Sequence, residues 1–346
     1  MIKTIAIKFK KPEPMSVTWD LGRRCNYDCS YCESTRHNNY SRHRSFDELK
    51  LGLDFIKTYT QLLGHDVVNI NFTGGEPTNN PIFFEFANYA KHYNFNLGLT
   101  TNGAFSPKYV DNIVENFSWV TVSYHCEADG RLKDMVLENI KRLHRKIKVQ
   151  VNVMMHKDYW DECINVCEML RENNIMFNPR PIGDGNITRI GWFKDVDGTL
   201  RRTSHDYSLE QQDWYFKHMG VENTSDNKRE GTQLGRNCCG GRCLLGKVDD
   251  VWQDINLIDT HFKDWYCSIN KNFLHIDHET ELVYHHQTCQ ARFNKERGPI
   301  GSLQDVDKIY DYVKQNKDNI IVCPNERCGC GMCVPKARDL QDYLSL

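Results

Sequence analysis

Three cysteines near the start of the chain, Cys25, Cys29 and Cys32, stand in the run RRCNYDCSYCE with three and then two residues between them. Thiolates this close on one loop can converge on a metal centre. A closed tetrahedral zinc site or an iron–sulfur cubane takes four protein ligands, and the next cysteine is as far away as Cys126. Three thiols leave one iron of a 4Fe–4S cluster open to an external ligand. The same spacing fits a zinc knuckle completed by His37 or a distant residue. About forty residues on, TGGEPT offers a different chemistry. Gly74 and Gly75 allow close backbone approach, and the Glu76 carboxylate suits an ammonium group.

A second concentration lies at the other end. Nine of the fifteen cysteines fall between 238 and 333: Cys238, Cys239 and Cys243 in NCCGGRC, Cys267, Cys289, then Cys323, Cys328, Cys330 and Cys333 in CPNERCGCGMC. Four thiols within eleven residues, broken by glycines, form a loop that can wrap a metal, zinc or iron–sulfur alike. Cys163 and Cys167, four apart beside Ile164, Val166 and Leu170, read as core filling on a helix.

Composition narrows the setting. The chain has 346 residues, a formal net charge of −2, 40% hydrophobic and 26% charged residues. A balance so close to neutral gives no strong nucleic-acid signal. No run approaches the ~18 apolar residues of a membrane span. The start, MIKTIAIKFKKPEP, interleaves lysines with its few apolar residues and has no signal-peptide core. A cytoplasmic protein is expected, in a compartment where thiols stay reduced and metal or redox chemistry accounts for the cysteines.

Strand candidates at 15–22, 67–74, 96–103, 119–125, 147–155 and 175–183 alternate with helical patterns at 46–63, 79–93, 107–116, 131–145 and 158–173. The first helix opens on a capping box, Ser45 with Glu48, ahead of Leu49, Leu53 and Ile56. Repeated strand–helix units imply an α/β fold with a parallel sheet, either an open partial barrel or a doubly wound sheet. Function then gathers at the C-terminal strand ends. The cysteine loop, TGGEPT, TTNG and Ser123 with His125 all sit there. The expected organisation is a barrel over 1–183, a linker or substrate-facing insertion over 184–235, and a cysteine-rich unit over 236–346. With strand one near residue 15, no leader-gripping domain is expected before it.

The Cx3Cx2C loop with Tyr31 before its last cysteine, followed by Gly74-Gly75-Glu76-Pro77 at the next strand end, resembles the radical S-adenosylmethionine (SAM) superfamily. The resemblance covers about residues 15–183. It implies a partial (βα)6 barrel, a 4Fe–4S cluster on Cys25, Cys29 and Cys32, and SAM held at the GGEP motif. It also implies an electron donor such as flavodoxin or ferredoxin. Reductive cleavage of SAM would give a 5′-deoxyadenosyl radical that abstracts hydrogen from a substrate. By position, Thr101, Asn102, Ser123 and Arg180 would add SAM contacts and Tyr31 would flank the adenine. Cys126, after the fourth strand, would be a hydrogen-atom donor to a substrate radical; Tyr124 and His125 would touch SAM or substrate.

The C-terminal region resembles the SPASM or twitch auxiliary-cluster extensions of the same superfamily: Cys267, a hairpin ending at Cys289, then GPIGSL and a cysteine-dense loop. The resemblance implies one auxiliary 4Fe–4S cluster on Cys267, Cys289, Cys330 and Cys333. A second would use Cys323 and Cys328 with two cysteines of NCCGGRC, such as Cys239 and Cys243; otherwise NCCGGRC lines the substrate site. The hairpin turn departs from the pattern, with His278, Glu279 and Thr280 where a glycine is usual. The leading expectation is radical chemistry on a peptide or protein side chain (oxidation, crosslink or epimerisation). The alternative is the same chemistry on a sugar, nucleotide or amino acid derivative. A non-catalytic metal scaffold would have no use for Glu76 and its glycines.

Overall fold

The computed structural model describes residues 4–9, 14–32, 37–182, 193–194, 200–201, 207–208, 210–211, 214, 244–248, 250–254, 262–285, 298–324 and 334–346. Six parallel strands carry the fold: β2 (Met15–Asp20), β3 (Val68–Thr73), β4 (Asn96–Thr101), β5 (Trp119–His125), β6 (Lys148–Met155) and β7 (Met176–Pro181). Between them run α1 (Phe46–Leu62), α2 (Phe83–Ala90), α3 (Val110–Asn116), α4 (Gly130–His144) and α5 (Trp160–Glu172). Every strand and helix expected over 15–183 is present. The capping box forms as read: Glu48 N donates to Ser45 Oγ at 3.3 Å, and Ser45 N donates to Glu48 Oε2 at 2.8 Å.

Strict alternation along the strands explains the shape. In β2, β3 and β5 the apolar positions, such as Val17, Trp19, Ile70, Phe72, Val120 and Val122, are buried in one core with the helices. The intervening Ser, Thr and Asn side chains are half-buried. Sheets packed on both faces read as continuous apolar runs, so a face lined by Asn71, Thr100, Ser123 and Asn152 is a polar interior. Asn71 Nδ2 donates to Thr100 Oγ1 across it at 3.1 Å.

Two features of the ends were not read from sequence. Residues Thr4–Phe9 form β1, which pairs antiparallel with Leu244–Val248 and with Lys336–Ala337. Of the interleaved N-terminal lysines, Lys8 lies within this strand. The hairpin Phe273–Asp277 and Leu282–Tyr284 also joins the barrel sheet, Phe273–Asp277 lying parallel to β2 from Phe273↔Ser16 to Asp277↔Asp20. The nine-stranded sheet thus runs across the expected boundary, with Gly301–Ser302 and β7 at its edges. No described helix is long and apolar enough to cross a membrane.

Candidate functional site

The loop leaving β2 is held from two sides by backbone. On one side Leu21 N donates to Thr73 O at 2.9 Å, Gly75 N to Gly22 O at 2.8 Å and Glu76 N to Arg24 O at 2.9 Å. This approach explains both glycines. A β-carbon on Gly75 would lie 2.4 Å from the carbonyl oxygens of Arg23 and Arg24. One on Gly74, whose φ is +126°, would lie 2.5 Å from Gly22 O. Room read from sequence as space for a ligand is first of all room for the cysteine loop. On the other side Asn38 N donates to Arg23 O at 2.8 Å and Cys25 N to Asn38 O at 2.7 Å.

Glu76 is 3% exposed. Its Oε1 accepts from Thr78 N (3.0 Å), Thr78 Oγ1 (2.6 Å) and Thr101 Oγ1 (2.8 Å), and its Oε2 from Asn102 N (2.7 Å). Burial raises the carboxyl pKa, and these donors only partly offset it. A buried carboxylate whose charge is still costly gains from a nearby cation. Asn102 continues the network: its Nδ2 donates to Asn26 Oδ1 at 2.7 Å, next to Cys25. Thr101 and Asn102 are therefore brought to the carboxylate and the cysteine loop, while buried Pro77 opens the turn after Glu76.

The three thiols are half-buried. Burial pushes Cys25 up to about 11 and Cys29 up to about 12, so their thiolates form readily only beside compensating positive charge. A single zinc ion would draw its sulfurs to within about 3.8 Å of one another, given Zn–S of ~2.3 Å. Among the described residues no three Cys, His, Asp or Glu side chains converge on one ion. His37, the fourth ligand of the zinc reading, lies 3.4 Å from Asp28 instead. A cubane takes each thiolate at a different iron and so does not require the three sulfurs to meet on one ion.

The far side of the loop rests on the ends of β5 and β6. Ser30 donates to Glu127 through its N–H at 2.9 Å and its Oγ at 2.6 Å, and His156 Nε2 lies 3.2 Å from Glu127. Tyr31 stacks on His125, with centroids 5.9 Å apart and planes 9° apart, and their hydroxyl and Nδ1 are hydrogen-bonded. That nitrogen also lies 3.4 Å from Cys29 Sγ. Burial holds His125 neutral, with a pKa lowered to about 4. Glu127 and His156 were missed in the sequence, although their positions just past strand ends could have flagged them. Ser123 is half-buried opposite Asn152. Arg180 is exposed at the end of β7. Neither belongs to the Glu76 network.

Two expectations change. Tyr124 points away from the polar interior: it is 2% exposed, and its hydroxyl donates to Glu162 at 2.7 Å. Alternation along β5 gives the inner face to Ser123 and His125. Cys126 likewise does not face the interior. It is 1% exposed, donates weakly to Met154 O at 3.7 Å, and is raised by its contact with Cys163 and by burial. A thiol in that core position cannot hand hydrogen to a substrate radical without leaving it. Cys163 and Cys167 are buried core residues, as read.

In the C-terminal region Cys267 is buried on Tyr266–Cys267, which pairs with Ile321–Val322; half-buried Cys323 follows directly. Cys323 N donates to Trp265 O at 2.9 Å, so the two cysteines sit on neighbouring strand ends. Cys238, Cys239, Cys243, Cys289, Cys328, Cys330 and Cys333 lie outside the described residues, as does most of 184–235. The turn that lacks the usual glycine closes by placing Glu281 in the left-handed region, at φ 59°.

The parallel partial barrel gathers three thiols and a buried carboxylate at its C-terminal strand ends, the arrangement that the resemblance of the sequence implies. Residues 19–170 of this chain match the family model for the radical SAM superfamily. Mycofactocin maturase MftC of Mycobacterium tuberculosis is 24% identical over 274 residues, 72% of this chain and 66% of that protein. An S-adenosylmethionine-dependent nucleotide dehydratase from a Thermoplasmatales archaeon is 29% identical over 150 residues, 40% of this chain and 51% of that one. The alignments thus span under two thirds of these relatives' own length. Among solved structures, anSMEcpe with bound AdoMet has a TM-score of 0.51 at 14% identity, covering 88% of this chain and 82% of that one. Streptococcus suis SuiB has a TM-score of 0.50 at 13% identity, covering 88% and 68%. At these identities the likeness is one of fold.

Proposed function

We propose that this chain is a radical SAM enzyme acting on a peptide or protein side chain. One observation carries the chemistry: Cys25, Cys29 and Cys32 share a loop whose backbone is bonded directly to Gly75 and Glu76. The thiols would hold a 4Fe–4S cluster with one open iron, and the Glu76 end of β3 would hold the amino group of SAM. When bound, cluster and SAM supply a 5′-deoxyadenosyl radical for hydrogen abstraction. The chain's own residues bind and orient. Glu76, fixed by Thr78, Thr101 and Asn102, presents negative charge to an ammonium; Tyr31 and His125 wall the open side. The half-buried Asn and Ser face of β3–β6 offers hydrogen bonds to a substrate.

The peptide class rests on likeness to MftC, a maturase by name. The likeness to the nucleotide dehydratase supports a second reading, the same chemistry on a small molecule. The C-terminal cysteines would ligate one or two auxiliary 4Fe–4S clusters of SPASM or twitch type, in units bounded as 1–183, 184–235 and 236–346. A flavodoxin or ferredoxin in the cytoplasm would supply the electron.

The test is anaerobic reconstitution, then incubation with SAM and a reductant. Wild type should release 5′-deoxyadenosine, and the triple alanine variant of Cys25, Cys29 and Cys32 should release none. Equal release from both would overturn the reading. Iron near 4, 8 or 12 per chain separates one, two and three cubanes, at about four irons each.

A further inference from the structure

We infer that Glu279, in the hairpin turn between Phe273–Asp277 and Leu282–Tyr284, is a positioning residue for the Cys25 end of the cluster loop. The inference rests on the reading of Cys25, Cys29 and Cys32 as cluster ligands.

The turn is where this sequence departs from the glycine expected of it, and the replacements are used. His278 is 3% exposed and stacks on Trp19 of β2, with planes 11° apart; Trp19 Nε1 donates to its Nδ1 at 3.2 Å. His278 N also donates to Asp20 O at 2.9 Å. These contacts lock the turn over the exit of β2, where the cysteine loop begins. Glu279 then reaches sideways. Its Oε2 accepts from Arg44 Nη2 at 3.2 Å and its Oε1 from Ser41 Oγ at 3.1 Å.

From Ser41 the chain of bonds leads to a ligand. Asn38 Nδ2 donates to Ser41 Oγ at 2.9 Å, and Ser41 N donates back to Asn38 Oδ1 at 2.7 Å. The Asn38 carbonyl accepts from Cys25 N at 2.7 Å, and Asn38 N donates to Arg23 O at 2.8 Å. Arg24 Nη1 reaches Ser41 O at 3.4 Å. The strand of loop at 23–25 thus has Gly75 and Glu76 on one side and Asn38 on the other. The first support belongs to the barrel; the second is braced from the C-terminal hairpin through Glu279. Arg44, 7% exposed, lies between Glu48 and Glu279 and holds the Glu279 carboxylate against Ser41. A buried guanidinium held by two carboxylates fixes geometry better than a lone surface pair.

The experiment compares reconstituted holoenzymes: wild type, S41A, E279A and E279Q. S41A cuts the relay but leaves the Arg44–Glu279 pair and the His278–Trp19 stack in place. E279Q keeps an oxygen to accept from Ser41. The readouts are iron loss to an added chelator, the part of the EPR signal that changes on adding SAM, and the melting temperature. S41A and E279A should lose the SAM-responsive signal about threefold faster or more, at little cost in melting temperature for S41A, as expected for one lost hydrogen bond. E279Q should stay within about twofold of wild type. If S41A retains the signal as long as wild type does, the inference is overturned, whatever E279A does. If wild type shows no SAM-responsive signal, the reading of the cysteine loop fails instead.

Discussion

Glu76 joins a buried hydrogen-bond network and, in the proposed function, also meets an ammonium, and substitution separates the two. Four donors converge on its carboxylate, so removing it strands buried groups at about 1–3 kcal/mol each when unpaired. Glu76→Ala should therefore lower unfolding stability by at least about 2 kcal/mol, read as a fall in denaturant midpoint. Glu76→Gln keeps oxygen and shape but loses the charge. It should fold, and it should lose most of the rise in melting temperature that SAM gives wild type. An undiminished rise in that variant would remove the carboxylate from the ligand site. Cys126 makes the opposite case. Buried against Cys163, it should tolerate Cys126→Ser or Ala with 5′-deoxyadenosine yield unchanged, any loss appearing in stability instead.

At the scale of elements, the approach of the β3 end to the cysteine loop is set by backbone. Gly75→Ala would place a methyl 2.4 Å from two carbonyl oxygens, and backbone cannot swing aside as a side chain can. If Cys25, Cys29 and Cys32 hold a cluster as proposed, the expected result is about four fewer irons per chain than in reconstituted wild type. The hairpin turn carries a pH dependence. Burial, and then the charge of Arg44, lower the His278 pKa to about 4, below an ordinary value of about 6.5. The folded state therefore binds fewer protons than the unfolded one between these values. Its contribution is intact above about pH 6.5 and is lost as pH falls toward 4. From pH 7 to pH 5 wild type should lose roughly 1–2 kcal/mol from this group. His278→Leu should be less stable at pH 7 but lose less over the same interval, as urea melts at both pH values would show.

At the scale of the whole molecule, the two cysteine-rich ends are not independent bodies. Phe273–Asp277 extends the barrel sheet beside β2, and β1 crosses to the other sheet between Leu244–Val248 and Lys336–Ala337. A chain ending at residue 235 would leave β2 as an unpaired edge and β1 without partners. Exposed edges invite aggregation. Such a truncation should be insoluble or polydisperse in size-exclusion chromatography, despite containing every residue of the first site. A well-behaved monomer would show that the shared sheet is dispensable.

The barrel, and the meeting of the cysteine loop with GGEP, were legible because their signals are local. Alternation in β2, β3 and β5, the Ser45–Glu48 cap, Cx3Cx2C and GGEP each fit within a few residues, and strand–helix repetition dictates that strand ends meet. What only the tertiary structure decided is which way borderline residues face and what crosses between distant segments. Tyr124, at the end of a strand, and Cys126, just after it, were read as facing SAM or substrate, but pleat and burial turned both into the core. β1 looked like a charged N-terminus because its partners lie some 240 residues away, from Leu244 onward. The Glu279–Ser41–Asn38 brace joins segments 238 residues apart, a separation at which no spacing rule operates. The missing glycine of the turn was visible in the sequence. That His278 and Glu279 stand in its place to hold Trp19, Arg44 and Ser41 follows only once Phe273–Asp277 lies against β2.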